Sequence, residues 1–396
     1  MLNQSVSLLP FFLTINTSGF RAMSPKFEQL TLEQINSIHS YVEKWKKIAF
    51  STEKINRKQA EKIVNSTYEM LGYKPPVIFF FDSPYACCDF ILGQTVQQSN
   101  ETFGKHRVRY LNRWKNKFKE QMYSQIDFES IKNLHNQGLF LKLRMFGWSS
   151  VDGQVRRHIW EQLDEQSQKK IWEYLGHTLD ERINSITIID SSVCVLDYLI
   201  TEFNLVLNHE HQNWDTYKSL LGLGNYIFLR DKACIICDRP IEISLDSLNY
   251  LHAEGKPAIQ FADKTGLYSH HYKTLSIELG KLHPQQWQAK WLLTEKCRSL
   301  REALVEGLGY VRICNELSVT ELDCWKNYKL LKINISQNSK LYYLLRMNND
   351  NSEIERALEY YNPERLKVSE DYLSVLTVAN SMDWDIEGEV EGSLKI

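Results

Sequence analysis

The chain lacks a glycine-rich phosphate loop. Neither GxGxxG nor GxxxxGK[ST] occurs in its 396 residues, so nothing in it points to a dinucleotide fold or a P-loop. It is also poor in cysteine: eight residues (Cys87, Cys88, Cys194, Cys234, Cys237, Cys297, Cys314 and Cys324) are too sparse for a disulfide scaffold and read as reduced, mostly buried thiols. No apolar run reaches the length of a membrane span. The longest near the start, residues 6–15, holds Pro10 and has no basic residue ahead of it, which fits neither a signal peptide nor a transmembrane helix. Charge of one sign is missing as well. With 47 basic against 49 acidic residues the net charge is -2, which argues against a chain that binds polyanions over its whole surface and leaves room only for a local basic patch. Fixed-period repeats and low-complexity tracts are absent. What remains is 43% hydrophobic and 24% charged, the balance of a globular protein with one large core or two ordinary ones. Cytoplasmic residence without membrane contact is the expectation.

The patterning predicts an α+β protein: a mainly helical N-terminal half with a short buried strand, then an antiparallel β-meander and a mixed helix/strand C-terminal part. Residues 1–26 read as a loose arm. Across residues 27–222 apolar side chains recur at three to four, first after Thr31 (Ile35, Ile38, Val42, Trp45) and again after Asn56 (Ala60, Ile63, Val64, Met70), where Gly72 and Pro75-Pro76 stop the pattern. Residues 77–81 form a wholly apolar run with strand character, and Asp82-Ser83-Pro84 opens the next helix. Further helices are predicted at 84–98, 100–122, 126–140, 154–176 and 192–206. Character changes near residue 223, and residues 223–346 read as a meander with a helix packed on it. The turn signals there are Asp238-Arg239-Pro240, Glu254 to Pro257 and Asp263 to Gly266. The helix is expected over 285–307, with strands at 325–333 and 341–346. Residues 347–396 read as a polar C-terminal extension.

The densest cluster of chemically able side chains is residues 251–257 with His252 and Glu254, followed by His270 and His271. In extended chain, residues two apart share a face, so His252 and Glu254 can form a base with its orienting carboxylate, or two metal ligands. The plainer reading is that His252 donates to a backbone carbonyl at a tight turn while Glu254 sits in solvent. Upstream, Cys234-Ile235-Ile236-Cys237 has zinc-like spacing, but residues three apart on a strand face opposite sides and the spacer lacks a glycine turn, so two core cysteines are expected and no metal or cofactor is assigned. A second cluster, Lys105 to Lys119, is an amphipathic basic helix. Arg109, Arg113 and Lys117 could contact a phosphate backbone with Trp114 stacked on a base, or the aromatics pack inward while the cations neutralise acidic neighbours. Smaller features have bland readings beside functional ones: His209-Glu210-His211 as a polar loop, Ser83 as a helix cap, and Gly147 to Gly153 as a loop carrying Trp148.

Several spaced blocks in one order carry a resemblance. Trp45 to Glu53, Ala60 with Tyr68, Gly72 to Pro76 and Phe80 to Ala86 are followed by Asp238 to Ile243, Leu251 to Ala258, Phe261 to Asp263 and Gly266 to Tyr268, then Gly307 to Tyr310 and Leu330 to Ile333. Over residues 40–340 the chain resembles a bacterial family catalogued as domain of unknown function sixty-seven forty-five. That family's aromatic-and-histidine position corresponds to Tyr268 with His270 or His271. The resemblance implies no activity and transfers no catalytic residue. This chain departs from the pattern where a glycine is expected after Asp263, which is Lys264-Thr265 here, and where histidine-glycine becomes His271-Tyr272.

Three functions compete on these grounds. The first is a binding or interaction protein whose partner is unknown, protein or nucleic acid. The second is a hydrolase or transferase using His252 and Glu254 with His270 or His271. The third is nucleic-acid binding through residues 105–119. Convergence of His252, Glu254 and a second histidine within hydrogen-bond reach is the geometry that separates the second from the first.

Overall fold

In the computed structural model, residues 29–103, 110–143, 148–175, 191–224, 226–317, 319–336, 339–347 and 354–360 are described, together with Val375 and Val378. The expected N-terminal arm, Arg109 and the chain end after Asn380 lie outside them. Backbone proximity divides the chain into two compact units, Met1–Ile243 with Gln260–Thr265, and Ser244–Ile259 with Gly266–Ile396. The architecture is α+β, with helices concentrated in the N-terminal half and antiparallel strands towards the C-terminus. Among the described residues no helix is long and apolar enough to cross a membrane.

The first unit starts as the sequence predicts. Helix α1 (Leu32–Ala49) is capped by Thr31, whose side chain accepts from the Gln34 amide while the Gln34 side chain accepts from the Thr31 amide. Asn56 caps α2 (Arg57–Met70), which Gly72 ends at φ +77°. Buried Asp197 holds this region together, accepting from the indole N–H of Trp45 at 3.1 Å and from Lys44 at 2.7 Å. Strand β1 (Val77–Phe81) is present but is not buried: Val77 is 61% exposed and the other four residues are half-buried. The reason is topological. Its sheet has the order β1-β3-β2, so β1 lies at an edge and β3 (Ala233–Cys237), all five residues buried, takes the central place between it and β2 (Tyr226–Leu229). β1 pairs with β3 in parallel, and parallel strands need a crossover; here the helical region fills it. The change in character near residue 223 therefore marks a return to the sheet that β1 began.

The long predicted helices are broken by capping residues inside them. After α3 (Pro84–Leu92), Thr95 and Gln98 form reciprocal caps that open α4 (Val96–Phe103). Next come α5 (Tyr110–Tyr123), α6 (Phe128–Asn136), capped by Asp127, and α7 (Leu139–Lys142). The expected loop at 147–153 is instead helical from Trp148, in α8 (Trp148–Glu161), and Asp164 caps α9 (Glu165–Leu175). Then follow α10 (Ser191–Glu202) and α11 (His211–Leu223). A cap side chain satisfies free amides at its own position and lets the chain change direction, which apolar periodicity does not register.

In the second unit, β6 (Gly266–His270) and β7 (Lys273–Leu275) form a tight hairpin, with His270 opposite Lys273. The short β4 (Glu242–Ile243) and β5 (Ile259–Gln260) precede it in sequence, and a one-turn helix α12 (Ile277–Gly280) follows. The helix expected over 285–307 resolves into two 3-10 turns, Pro284–Gln286 and Ala289–Leu293, and a shorter α13 (Arg298–Leu308), which α14 (Tyr310–Glu316) follows. A true meander closes the fold, in the order β11-β10-β9-β8, from β8 (Val319–Trp325), β9 (Tyr328–Ser336), β10 (Ser339–Met347) and β11 (Ile354–Tyr360). β11 falls inside the stretch expected to be an extension. Trp287, Leu304, Leu331, Tyr343 and Leu345 belong to one buried apolar cluster here, and α13 packs on β7 and β11.

Candidate functional site

The hairpin β6–β7 turns through two residues, His271 and Tyr272, at φ 42° and 71°. Such a turn needs positive φ at both central positions, which is why Asn-Gly is the usual choice. Residues with a Cβ pay on the order of 1–2 kcal/mol each there. Running along β6, residues 251–253 fix a second row. The Ala253 amide donates to Ser269 at 3.0 Å, and the Tyr272 amide donates to Leu251 at 3.1 Å. His252 is thereby set opposite His270, and its own amide is held by the Ser244 carbonyl at 3.0 Å.

Three imidazoles meet as a result. His252 and His271 stack with centroids 3.9 Å apart and planes 15° from parallel, and His270 lies 4.9 Å from the first ring and 4.7 Å from the second. One nitrogen from each ring falls within 4.8 Å of the other two, the single group of metal-binding type among the described residues. His270 is 4% exposed and sits edge-on to Trp287 at 5.2 Å. Burial, reinforced by the adjacent His271, His252 and Lys273, drives its pKa down to about 3, so it is neutral at physiological pH. Its Nδ1 is buried and has no hydrogen-bond partner among the described residues. Burial and the nearby His271 also lower the pKa of His252.

Two carboxylates lie near the cluster, and only one of them bonds to it, which differs from the His-x-Glu expectation. Glu254 Oε1 is 3.9 Å from His252 Nε2, outside hydrogen-bond range, and its short contact is 2.7 Å from Oε2 to His283 Nε2. His283 Nδ1 accepts from the Gln285 amide, which leaves the ring proton on Nε2 to donate to Glu254. The carboxylate that holds a cluster histidine is Asp246, whose Oδ2 lies 2.9 Å from His271 Nδ1. Its Oδ1 accepts from the amides of Leu248 and Tyr250, each at 2.9 Å. Burial opposes ionisation of Asp246, but these bonds outweigh it and leave its pKa below the ordinary value. His271 thus keeps its proton on Nδ1 and a lone pair on Nε2. His252 Nδ1 accepts from the His271 amide at 3.2 Å, so these two histidines are tied through backbone as well as by stacking. Sequence reading found His252, His270 and His271, and missed Asp246 and His283. The available signals were Asp246-Ser247-Leu248-Asn249, an Asx-turn pattern that occupies a carboxylate locally, and His283 before Pro284 at a helix start.

The remaining candidates take structural places. Trp114 on α5 donates its indole N–H to Glu210 at 2.7 Å and stacks on Phe118 at 5.2 Å, with Tyr217 edge-on at 5.4 Å, so it is engaged inside the helical unit and does not stand out as a stacking platform. Arg113 and Lys117 are exposed on the same helix. Glu210 of the His209-Glu210-His211 run is used by Trp114 and Asn213. Ser83, fully buried, accepts from the Ala86 amide and donates to Asp263 as a helix cap. Cys234 and Cys237 are core residues of β3. Comparison with family models, curated proteins and solved structures found no match to this chain.

Proposed function

We propose that the chain is a hydrolase or transferase whose working site is the imidazole cluster of His252, His270 and His271 with Asp246. The observation that carries this reading is the convergence of three imidazoles beside a carboxylate that fixes the tautomer of one of them, on a hairpin whose turn residues sit in a costly conformation. Asp246 holds the Nδ1 proton of His271, which leaves Nε2 to activate water or a substrate hydroxyl. As that oxygen bonds to an acyl or phosphoryl centre, its proton passes to the imidazole and is returned to the departing oxygen or nitrogen. His271 is half exposed, with 46% of its side chain open, which gives a substrate access. Nucleic-acid binding has weaker support, because Trp114 is engaged by Glu210 and Phe118.

The test is hydrolysis of a panel of 4-nitrophenyl carboxylate, phosphate monoester and phosphate diester substrates by the full chain and by His271→Asn and Asp246→Asn. Asn is chosen at 271 because it tolerates positive φ. Wild type should turn over at least one substrate about 100-fold faster than His271→Asn, within the range of a lost acid–base group. Equal rates for wild type and both variants across the panel remove the enzyme reading and leave a binding protein.

A further inference from the structure

We infer that His252, His270 and His271 together hold one divalent transition-metal ion of the zinc class. This rests on the preceding reading that the three imidazoles are the working groups of the site, and it adds what they work on.

Three observations converge. The first is position: one nitrogen from each ring lies within 4.8 Å of the others. Zinc–nitrogen bonds of 2.0–2.1 Å place tetrahedral ligands roughly 3.4 Å apart, so the three nitrogens draw together on binding, and the stacked His252 and His271, whose lone pairs lie in nearly parallel planes, tilt towards the ion. The second is His270 Nδ1, buried on a side chain only 4% exposed and with no partner among the described residues. A buried polar atom without a partner is a cost that folded proteins rarely leave standing, and an ion supplies the missing acceptor for its lone pair. The third is Asp246. A carboxylate on the outer nitrogen of a ligating histidine is the usual support for such a ligand, because it fixes the tautomer and raises the basicity of the inner nitrogen. Asp246 stands to His271 in that relation at 2.9 Å, itself fixed by the amides of Leu248 and Tyr250.

The donor set selects the ion. Three imidazole nitrogens with no carboxylate among the ligands suit zinc, copper, nickel or ferrous iron over calcium and magnesium, which take oxygen ligands. If the ion takes the Nδ1 lone pair of His252, it displaces the 3.2 Å bond from the His271 amide. Three protein ligands leave a fourth position for water, whose pKa falls towards about 7 on zinc. The ion then stands where His271 Nε2 otherwise accepts the proton directly.

The experiment is calorimetric titration of the chelator-stripped full chain with zinc, paralleled by cobalt(II) as a visible-light reporter of coordination. The expected result is saturable binding of one ion per chain with cobalt bands of a four-coordinate nitrogen site. His271→Asn should lose at least 100-fold in affinity, and Asp246→Asn roughly 10–100-fold, the usual effect of removing an outer-shell partner. His209→Asn, outside the cluster, should bind as wild type. Circular dichroism confirms that each variant is folded, and His271 is exposed enough that its replacement leaves the core intact. Absence of saturable binding, or equal affinity in His271→Asn, overturns the ion. Absence of saturable binding together with ester hydrolysis that depends on His271 would overturn the ion while leaving the enzyme reading in place; zinc binding without hydrolysis would do the reverse.

Discussion

Gly307 decides how tightly the core behind the histidine cluster is packed. It lies within α13, and a Cβ built there would run into the six-membered ring of Trp287. Two opposing terms set the sign of Gly307→Ala. Helix propensity favours alanine over glycine by about 1 kcal/mol in a helix interior. Against it, Trp287 has nowhere to go: it is 1% exposed, and its indole N–H is shared between the carbonyls of Leu279 and Leu282 at 3.3 and 3.1 Å. Overpacking a rigid ring costs typically 1–3 kcal/mol, and weakening the indole hydrogen bonds adds about 1 kcal/mol. The expected net effect is a loss of roughly 1–3 kcal/mol. Gly153 is the internal control. It also lies within a helix, α8, but its virtual Cβ meets nothing within 4 Å, so Gly153→Ala keeps the propensity gain without the clash and should raise stability by about 0.5–1 kcal/mol. Chemical denaturation followed by circular dichroism measures both. Because His270 rests edge-on against Trp287, Gly307→Ala should also disturb the cluster. If the two variants are stabilised alike, Trp287 does not pack as described.

Three further perturbations test other parts of the structure. Asp197→Ala strips the indole of Trp45 and the amines of Lys44 and Lys218 of their common acceptor; the two amines stay hydrated, so the buried indole N–H left without an acceptor sets a cost of about 1–3 kcal/mol, whereas Asp197→Asn should cost less; thermal denaturation ranks the two. His158 Nδ1 lies 2.8 Å from the Tyr85 hydroxyl, and burial lowers its pKa below 6.5. The unfolded chain therefore binds this proton first as pH falls, so stability declines below pH 6.5 until the folded value is reached; His158→Gln should flatten that part of the stability–pH curve, and an unchanged slope would refute it. Charge reversal at Arg113 and Lys117 should leave the fold and any ester hydrolysis untouched, and a salt-dependent RNA affinity lost in that variant would revive the nucleic-acid reading.

How much of this was legible in the sequence depends on range. The caps at Thr31, Asn56 and Ser83 are local chemistry, satisfied within three residues, and they sit where the sequence places them. The edge position of β1 is not local, because it depends on β3, more than 150 residues later, taking the centre of the sheet. Hydrophobicity alone describes residues 77–81 equally well as a central strand or as an edge whose Phe80 ring is covered by Arg57 at 4.4 Å. The same distinction holds at the site. His252, His270 and His271 were visible as a cluster because the hairpin and the antiparallel row at 251–253 beside it bring these segments side by side. Asp246 was not, since it meets His271 only after the turn at Asn249, φ 62°, has reversed the chain, and the pairing of Glu254 with His283 likewise joins residues 29 apart in sequence.

The turn itself carries the last step. Lys264 and Tyr272 both lie at positive φ, 69° and 71°, where glycine is the usual residue. A glycine there would relieve strain, so each side chain is kept at a cost, and the two costs have different consequences. Lys264 is exposed on a turn closed by Asp263 bonds to Thr265, where strain changes nothing nearby. Tyr272 shares its turn with His271, and a stiffer turn narrows the directions in which the His271 ring can point. Tyr272→Gly should therefore leave Asp246 and all three imidazoles in place but loosen their mutual geometry. Zinc affinity in that variant should fall by a few-fold, less than the loss on removing Asp246. A Tyr272→Gly protein that binds zinc as tightly as wild type would show that the strained turn is tolerated rather than used.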